Sequence, residues 1–73
     1  MSKLSELKSG QSAVVESLGE KGPVRRRLMD MGVTPGAKIE VVKVAPLGDP
    51  IEVNIRGYEL SLRKNEAEQI VVK

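Results

Sequence analysis

The chain has 73 residues, 12 Lys and Arg against 10 Asp and Glu for a formal net charge of +2, and no Cys, His, Trp or Phe. That length allows one domain, residues 1–73, with a single small core and a stability on the order of 5 kcal/mol. The missing Cys and His exclude disulfides, thiolate nucleophiles, Cys–His and Ser–His pairs and the usual zinc ligands, so the core must be aliphatic and catalysis is not expected.

Leu4 and Leu7, three apart ahead of Lys8-Ser9-Gly10, predict one short helical turn pinned to the core and then a chain reversal at Gly10. The opening residues contain no apolar run of the signal-peptide kind, and no stretch reaches the roughly 18 apolar residues that a membrane span needs. A first strand is expected over Ser12 to Leu18, which is apolar and β-branched and is broken by Gly19-Glu20-Lys21-Gly22. That tetrapeptide has the GXXG form of nucleic-acid-binding KH domains. The helix pair that such a loop joins is missing, so it reads as a strand-to-helix connection.

Pro23 to Met31 predicts a helix. Proline suits the first helical position, where its missing N–H would be unpaired in any case. Val24, Leu28 and Met31 form one apolar stripe at i, i+4 and i+7. Arg25, Arg26 and Asp30 point away from it, with Arg26 and Asp30 spaced to pair. Arg27 lies beside the stripe, where its stem can cover the core and its head can bond carbonyls or Asp49. Gly32 is placed for a left-handed cap with Val33 folding back on the last turn, and Thr34-Pro35-Gly36-Ala37 has the pattern of a type II turn.

Ile39 to Ala45 predicts a second strand. Its apolar residues change parity between Ile39/Val41 and Val42/Val44, which calls for a β-bulge or burial on both faces. Pro46-Leu47-Gly48-Asp49-Pro50 is a stiff loop. Ile51, Val53 and Ile55, then Tyr58, Leu60 and Leu62, alternate with polar residues around Arg56-Gly57. A two-residue hairpin loop there sets Ile55 against Tyr58, Val53 against Leu60 and Ile51 against Leu62, with all six on one face. Lys64-Asn65-Glu66-Ala67 reads as a turn capped by Asn65, and Gln69 to Val72 as a last strand. The expected core contains Val24, Leu28, Met31, Ile39, Val41, Ile51, Val53, Ile55, Leu60 and Leu62, with Gly32, Pro35 and Gly36 setting the turns. About five short strands and one inserted helix predict a mainly β fold, a small barrel of SH3-like or OB-like kind.

Four segments in order carry a family resemblance: Leu4 to Gly10, Arg26 to Gly36 (Arg-Arg-Leu-Met-Asp-Met-Gly-Val-Thr-Pro-Gly), Ala45 to Ile51, and Leu60 to Ala67. Over essentially its whole length the chain resembles the FeoA domains of bacterial ferrous-iron uptake. The resemblance implies an SH3-like barrel. It also implies a cytoplasmic accessory that binds the FeoB membrane transporter, which carries a G-protein domain, and modulates or assembles it. It brings in a relative, the SH3-like C-terminal domain of metal-dependent repressors, and with it an alternative role as a regulatory or dimerising module. The winged-helix DNA-binding segment of those repressors has no counterpart in this sequence.

The candidate partner-binding residues are Arg25, Arg26, Met29, Leu47 and Asp49. Arg25 and Arg26 are outward cations suited to an acidic partner or a lipid headgroup. Met29 lies off the apolar stripe and Leu47 sits at the tip of a proline-stiffened loop whose ordering cost on binding is low. The competing role for Leu47 is to close the barrel end. Direct nucleic-acid binding has little support, because Tyr58 is the one aromatic side chain available for stacking. The carboxylates are scattered, with Glu66 and Glu68 read as surface acids, so no metal site and no cofactor are expected. A protein partner and a monomer or weak homo-oligomer complete the expectation.

Overall fold

A computed structural model describes residues 2–73. Six strands form one antiparallel sheet: β1 (Ser2–Lys3), β2 (Ser12–Leu18), β3 (Lys38–Val44), β4 (Ile51–Ile55), β5 (Tyr58–Leu62) and β6 (Ile70–Val72), in the spatial order β1-β6-β2-β3-β4-β5. One helix of two turns, α1 (Pro23–Asp30), is inserted between β2 and β3, and a single turn, α2 (Lys64–Ala67), precedes β6. The fold is mainly β, as the alternating apolar residues require. The strand that sequence periodicity does not reveal is β1, whose two residues are too few to show a period.

Two irregularities curl the sheet. Ser12 to Val14 of β2 pair with β3, whereas Val15 to Leu18 pair with β6, and the register breaks between Val15 and Ser17. One strand thus belongs to both halves of the sheet and turns the corner between them, as bulged strands do. The second break lies between Val41 and Lys43 of β3. It resolves the parity change in this strand: Val42 is 43% exposed, so a bulge, rather than two-sided burial, accounts for the pattern.

The β4–β5 hairpin has the expected register, with Ile51 opposite Leu62, Val53 opposite Leu60 and Ile55 opposite Tyr58. Arg56 and Gly57 both have positive φ, 53° and 87°, the signature of the type I′ turn whose twist matches a two-residue hairpin. Tyr58 departs from the all-inward expectation. It is 45% exposed, and its hydroxyl donates to the Met31 carbonyl at 2.8 Å.

Helix α1 ends as a Schellman motif. The Val33 N–H donates to the Leu28 carbonyl at 2.9 Å, the Gly32 N–H to the Met29 carbonyl at 3.0 Å, and Gly32 takes a φ of 92°. The following turn closes through the Ala37 N–H on the Thr34 carbonyl at 3.1 Å, with Gly36 also at a φ of 92°. These reversals bring Leu28 and Val33, both fully buried, over Ile39, Val41, Ile51, Val53, Ile55 and Leu62. Val24, Met31 and Leu60 are partly buried against that cluster. The core also takes in Leu4, Val15, Leu18, Ala37, Ala67, Ile70 and Val72, from both ends of the chain.

Four local expectations are corrected. Asn65 does not cap the segment before β6: Arg63 holds the cap position, and the Glu66 carboxylate accepts the Arg63 N–H at 2.9 Å. Glu66 is therefore no surface acid. It is 3% exposed, held because its helical turn packs Ala67 into the core. Arg27 reaches this carboxylate at 3.4 Å, the one ion pair among the described residues, rather than Asp49, and Arg26 and Asp30 make none.

Candidate functional site

Sequence reasoning singled out five residues for partner contact, and the fold sorts them into two regions. Arg25, Arg26 and Met29 stand on α1. Together with Lys21, Gly22 and Pro23 they line a cavity of about 530 Å³. Met29 is 44% exposed, whereas Leu28 beside it is fully buried, as the helical stripe requires. Arg25 is half-buried and Arg26 exposed.

A second cavity of about 440 Å³ adjoins it at the same loop and is lined also by Lys3, Glu20, Glu68, Gln69 and Val71. Lys21, Gly22, Pro23 and Arg25 line both. The two cavities thus adjoin through this shared lining and together make a two-part groove. It runs from the β1–β6 edge, past the Gly19–Gly22 connection, to the outer face of α1. The connection is held to the sheet by the Gly19 N–H donating to the Gln69 carbonyl at 2.7 Å. A strand-to-helix loop therefore supplies the groove's middle, and the tetrapeptide has the connecting role its context suggested. Sequence analysis found the cations of α1 but missed Lys3, Glu68, Gln69 and Val71, because strands β1 and β6 reach the groove only through pairing across the whole chain length.

Leu47 and Asp49 lie elsewhere, on the β3–β4 loop. Leu47 is 89% exposed, which overturns its alternative role of closing the barrel end. It is not among the residues lining the Met29 cavity, so the two do not share that concave surface. The Asp49 carboxylate accepts the Lys64 N–H at 3.1 Å and so ties its loop to the start of α2. Beside it Pro50, Ser61, Leu62 and Arg63 line a smaller cavity of about 330 Å³.

Among the described residues no three of His, Cys, Asp and Glu gather as a metal ligand set, and no helix is long and apolar enough to cross a membrane. What the site offers is shape, apolar surface and charge, the means of recognition between macromolecules.

Comparison with known proteins gives the family. The family model described as FeoA domain matches residues 2–73. A Fe(2+) transport protein A/Fe(2+) transporter FeoB fusion protein of Porphyromonas gingivalis is 41% identical over 71 residues, which are 97% of this chain and 8% of that protein. The chain therefore spans a small part of that curated relative's length. The solution structure of the FeoA protein from Chlorobium tepidum is 58% identical, covering 97% of this chain and 68% of that one, with a TM-score of 0.88. The crystal structure of Stenotrophomonas maltophilia FeoA, described as a procaryotic SH3 domain protein and complexed with zinc, is 34% identical, covering 100% and 91%, with a TM-score of 0.88. The fold alone is shared with a manganese-dependent transcriptional repressor, at 19% identity over 97% of this chain and 39% of that one and a TM-score of 0.89.

Proposed function

The chain belongs to the FeoA domain family, and on that premise we propose that it is a non-catalytic, cytoplasmic accessory of ferrous-iron transport that works by docking on a FeoB-type transporter. The observation that carries this reading is the Porphyromonas gingivalis relative, in which a segment matching 97% of this chain is part of one polypeptide with the transporter. Joining two domains covalently raises their effective concentration to the millimolar range. Such neighbours still need a surface on which to meet, and the α1 groove, with its apolar lining and flanking cations, is suited to provide one.

The sequence supports the non-catalytic part of the reading. It has no Cys or His, so its only candidates for proton transfer are carboxylates, lysines and Tyr58. The buried Glu66 carboxylate is engaged by Arg63 and Arg27, while Oε2 of the half-buried Glu16 is enclosed without a hydrogen-bond partner among the described residues. The domain acts as a monomer or weak homo-oligomer and modulates or assembles its partner through surface contact.

The test is co-purification with a FeoB-type transporter from gently solubilised membranes, with chemical crosslinking before lysis. Recovery of a stoichiometric complex is the expected result. Absence of both a crosslink and a complex, with the domain folded and present in excess, would overturn the proposal.

A further inference from the structure

The groove along α1 is not uniform, and its asymmetry indicates what it accepts. At the Met29 end the charged lining residues are Lys21, Arg25 and Arg26, with no carboxylate among them. At the β1–β6 end Lys3, with the shared Lys21 and Arg25, is accompanied by Glu20 and Glu68. Between the two, Pro23 supplies rigid apolar surface to both cavities, and Met29 adds a flexible thioether at the cationic end. Each end thus has three cations, Lys21 and Arg25 being shared, and the carboxylates are confined to the β1–β6 end of a trough whose lining is largely apolar.

We infer that this groove binds a short acidic peptide segment of a partner protein, seating one apolar side chain over Pro23 and Met29 and its carboxylates against Lys21, Arg25 and Arg26. This deepens the docking function proposed above and rests on it for the partner's biological setting, though not for the groove's chemistry. Charge complementarity selects the occupant. Carboxylates at the cationic end form charge-assisted hydrogen bonds, for which a guanidinium is a planar, two-pronged donor. Glu20 and Glu68 offset two of the three cations at the other end, so a ligand that is anionic along its whole length gains less there. A nucleic-acid strand or a flat anionic membrane would meet both ends at once. A peptide can confine its acids to one end and place a neutral or basic residue at the other. The concave shape favours a side chain inserted from a peptide over a planar lipid surface, and the preformed Pro23 edge lowers the ordering cost.

Two arms test this. In the first, the isotope-labelled domain is titrated with a peptide in which one Leu is flanked by Asp and Glu, followed by a peptide with Lys at those acidic positions and then by anionic lipid vesicles. The acidic peptide should shift the amide resonances of Lys21, Gly22, Arg25, Arg26 and Met29, with an affinity that falls as salt is added. The basic peptide should leave them unmoved. Silence of those amides at millimolar acidic peptide overturns the inference, as does an equal response to the basic peptide. A response to vesicles with none to the peptide overturns it in favour of a lipid surface. In the second arm, Arg25→Glu/Arg26→Glu and Met29→Ser are compared with wild type for transporter capture. The charge reversal should weaken capture by about tenfold or more and Met29→Ser by less, with melting temperatures unchanged. Capture of wild type and variants alike sinks the groove while leaving the transporter reading intact. Failure of wild type to be captured sinks the transporter reading, and the peptide arm still decides the groove.

Discussion

The Tyr58 hydroxyl donates to the carbonyl of Met31 at 2.8 Å, and in doing so it stands where a side chain at Gly32 would have to go. Arg56, two residues earlier, reinforces the same junction. Its Nε donates to the Gly32 carbonyl at 3.2 Å and its terminal nitrogen to Thr34 Oγ1 at 2.8 Å. The hairpin thus holds the end of α1 with three side-chain bonds, and the helix that carries Arg25, Arg26 and Met29 is oriented from its C-terminus.

Gly32→Ala should be destabilising for two separable reasons. A Cβ there collides with the Tyr58 hydroxyl, and a φ of 92° is strained for any residue with a side chain. Together they should cost about 2–4 kcal/mol. Tyr58→Phe alone should cost about 1 kcal/mol. In the Tyr58→Phe background the collision is gone, since the next atoms of Tyr58 and Arg56 lie 3.6 Å from the added carbon. Gly32→Ala should then cost only its backbone strain, about 1–2 kcal/mol. Urea unfolding of the four proteins measures this, and strictly additive losses would contradict it.

Glu66 should matter more to stability than its partner Arg27. Its carboxylate is buried and satisfies the Arg63 N–H, whereas the Arg27 side chain is 63% exposed. Glu66→Ala should cost about 1–2 kcal/mol by removing the acceptor of the partly buried Arg63 N–H. Glu66→Gln, which keeps an acceptor, should cost less. Arg27→Ala should cost under about 1 kcal/mol. Denaturant midpoints rank the three, and an Arg27→Ala loss as large as that of Glu66→Ala would assign the stabilisation to the ion pair instead of the cap.

Leu28 is the one fully buried side chain of α1. Leu28→Ala should therefore destabilise by about 2–5 kcal/mol. Against a total of about 5 kcal/mol for so small a domain, this approaches unfolding at room temperature. Circular dichroism melts report it, and an unchanged melt would mean that α1 does not seal the core.

Leu47→Ser should leave the melt within about 0.5 kcal/mol of wild type, because an 89% exposed side chain has little burial to lose. A loss near that of Leu28→Ala would restore Leu47 to the barrel end.

Much of the fold was legible in local patterns. The hairpin register follows from a period of two on either side of Arg56-Gly57, since any slip turns an apolar row to solvent. The end of α1 follows from Gly32, Val33 and the Pro35-Gly36 turn, because such caps and turns are made by neighbours in sequence. The role of Glu66 was less accessible. A Glu three residues after Arg63 fits half of a capping box, but without the usual Ser or Thr at the cap the signal is weak. The groove was half legible, through the cations of α1.

From its sequence alone this protein has an aliphatic core without disulfide or thiolate chemistry, the register of its hairpin and the face that α1 turns inward, all consequences of residue type and short-range spacing. Only the tertiary structure decided that β1 and β6 would meet the Gly19–Gly22 connection and set Lys3 and Glu68 opposite Arg25 in one groove. It alone also decided that Arg27 would find Glu66. Those juxtapositions join residues from opposite ends of the chain. They arise when the sheet bends at the β2 bulge and no local pattern encodes them, because many chain paths satisfy the same spacing and only one packs the core.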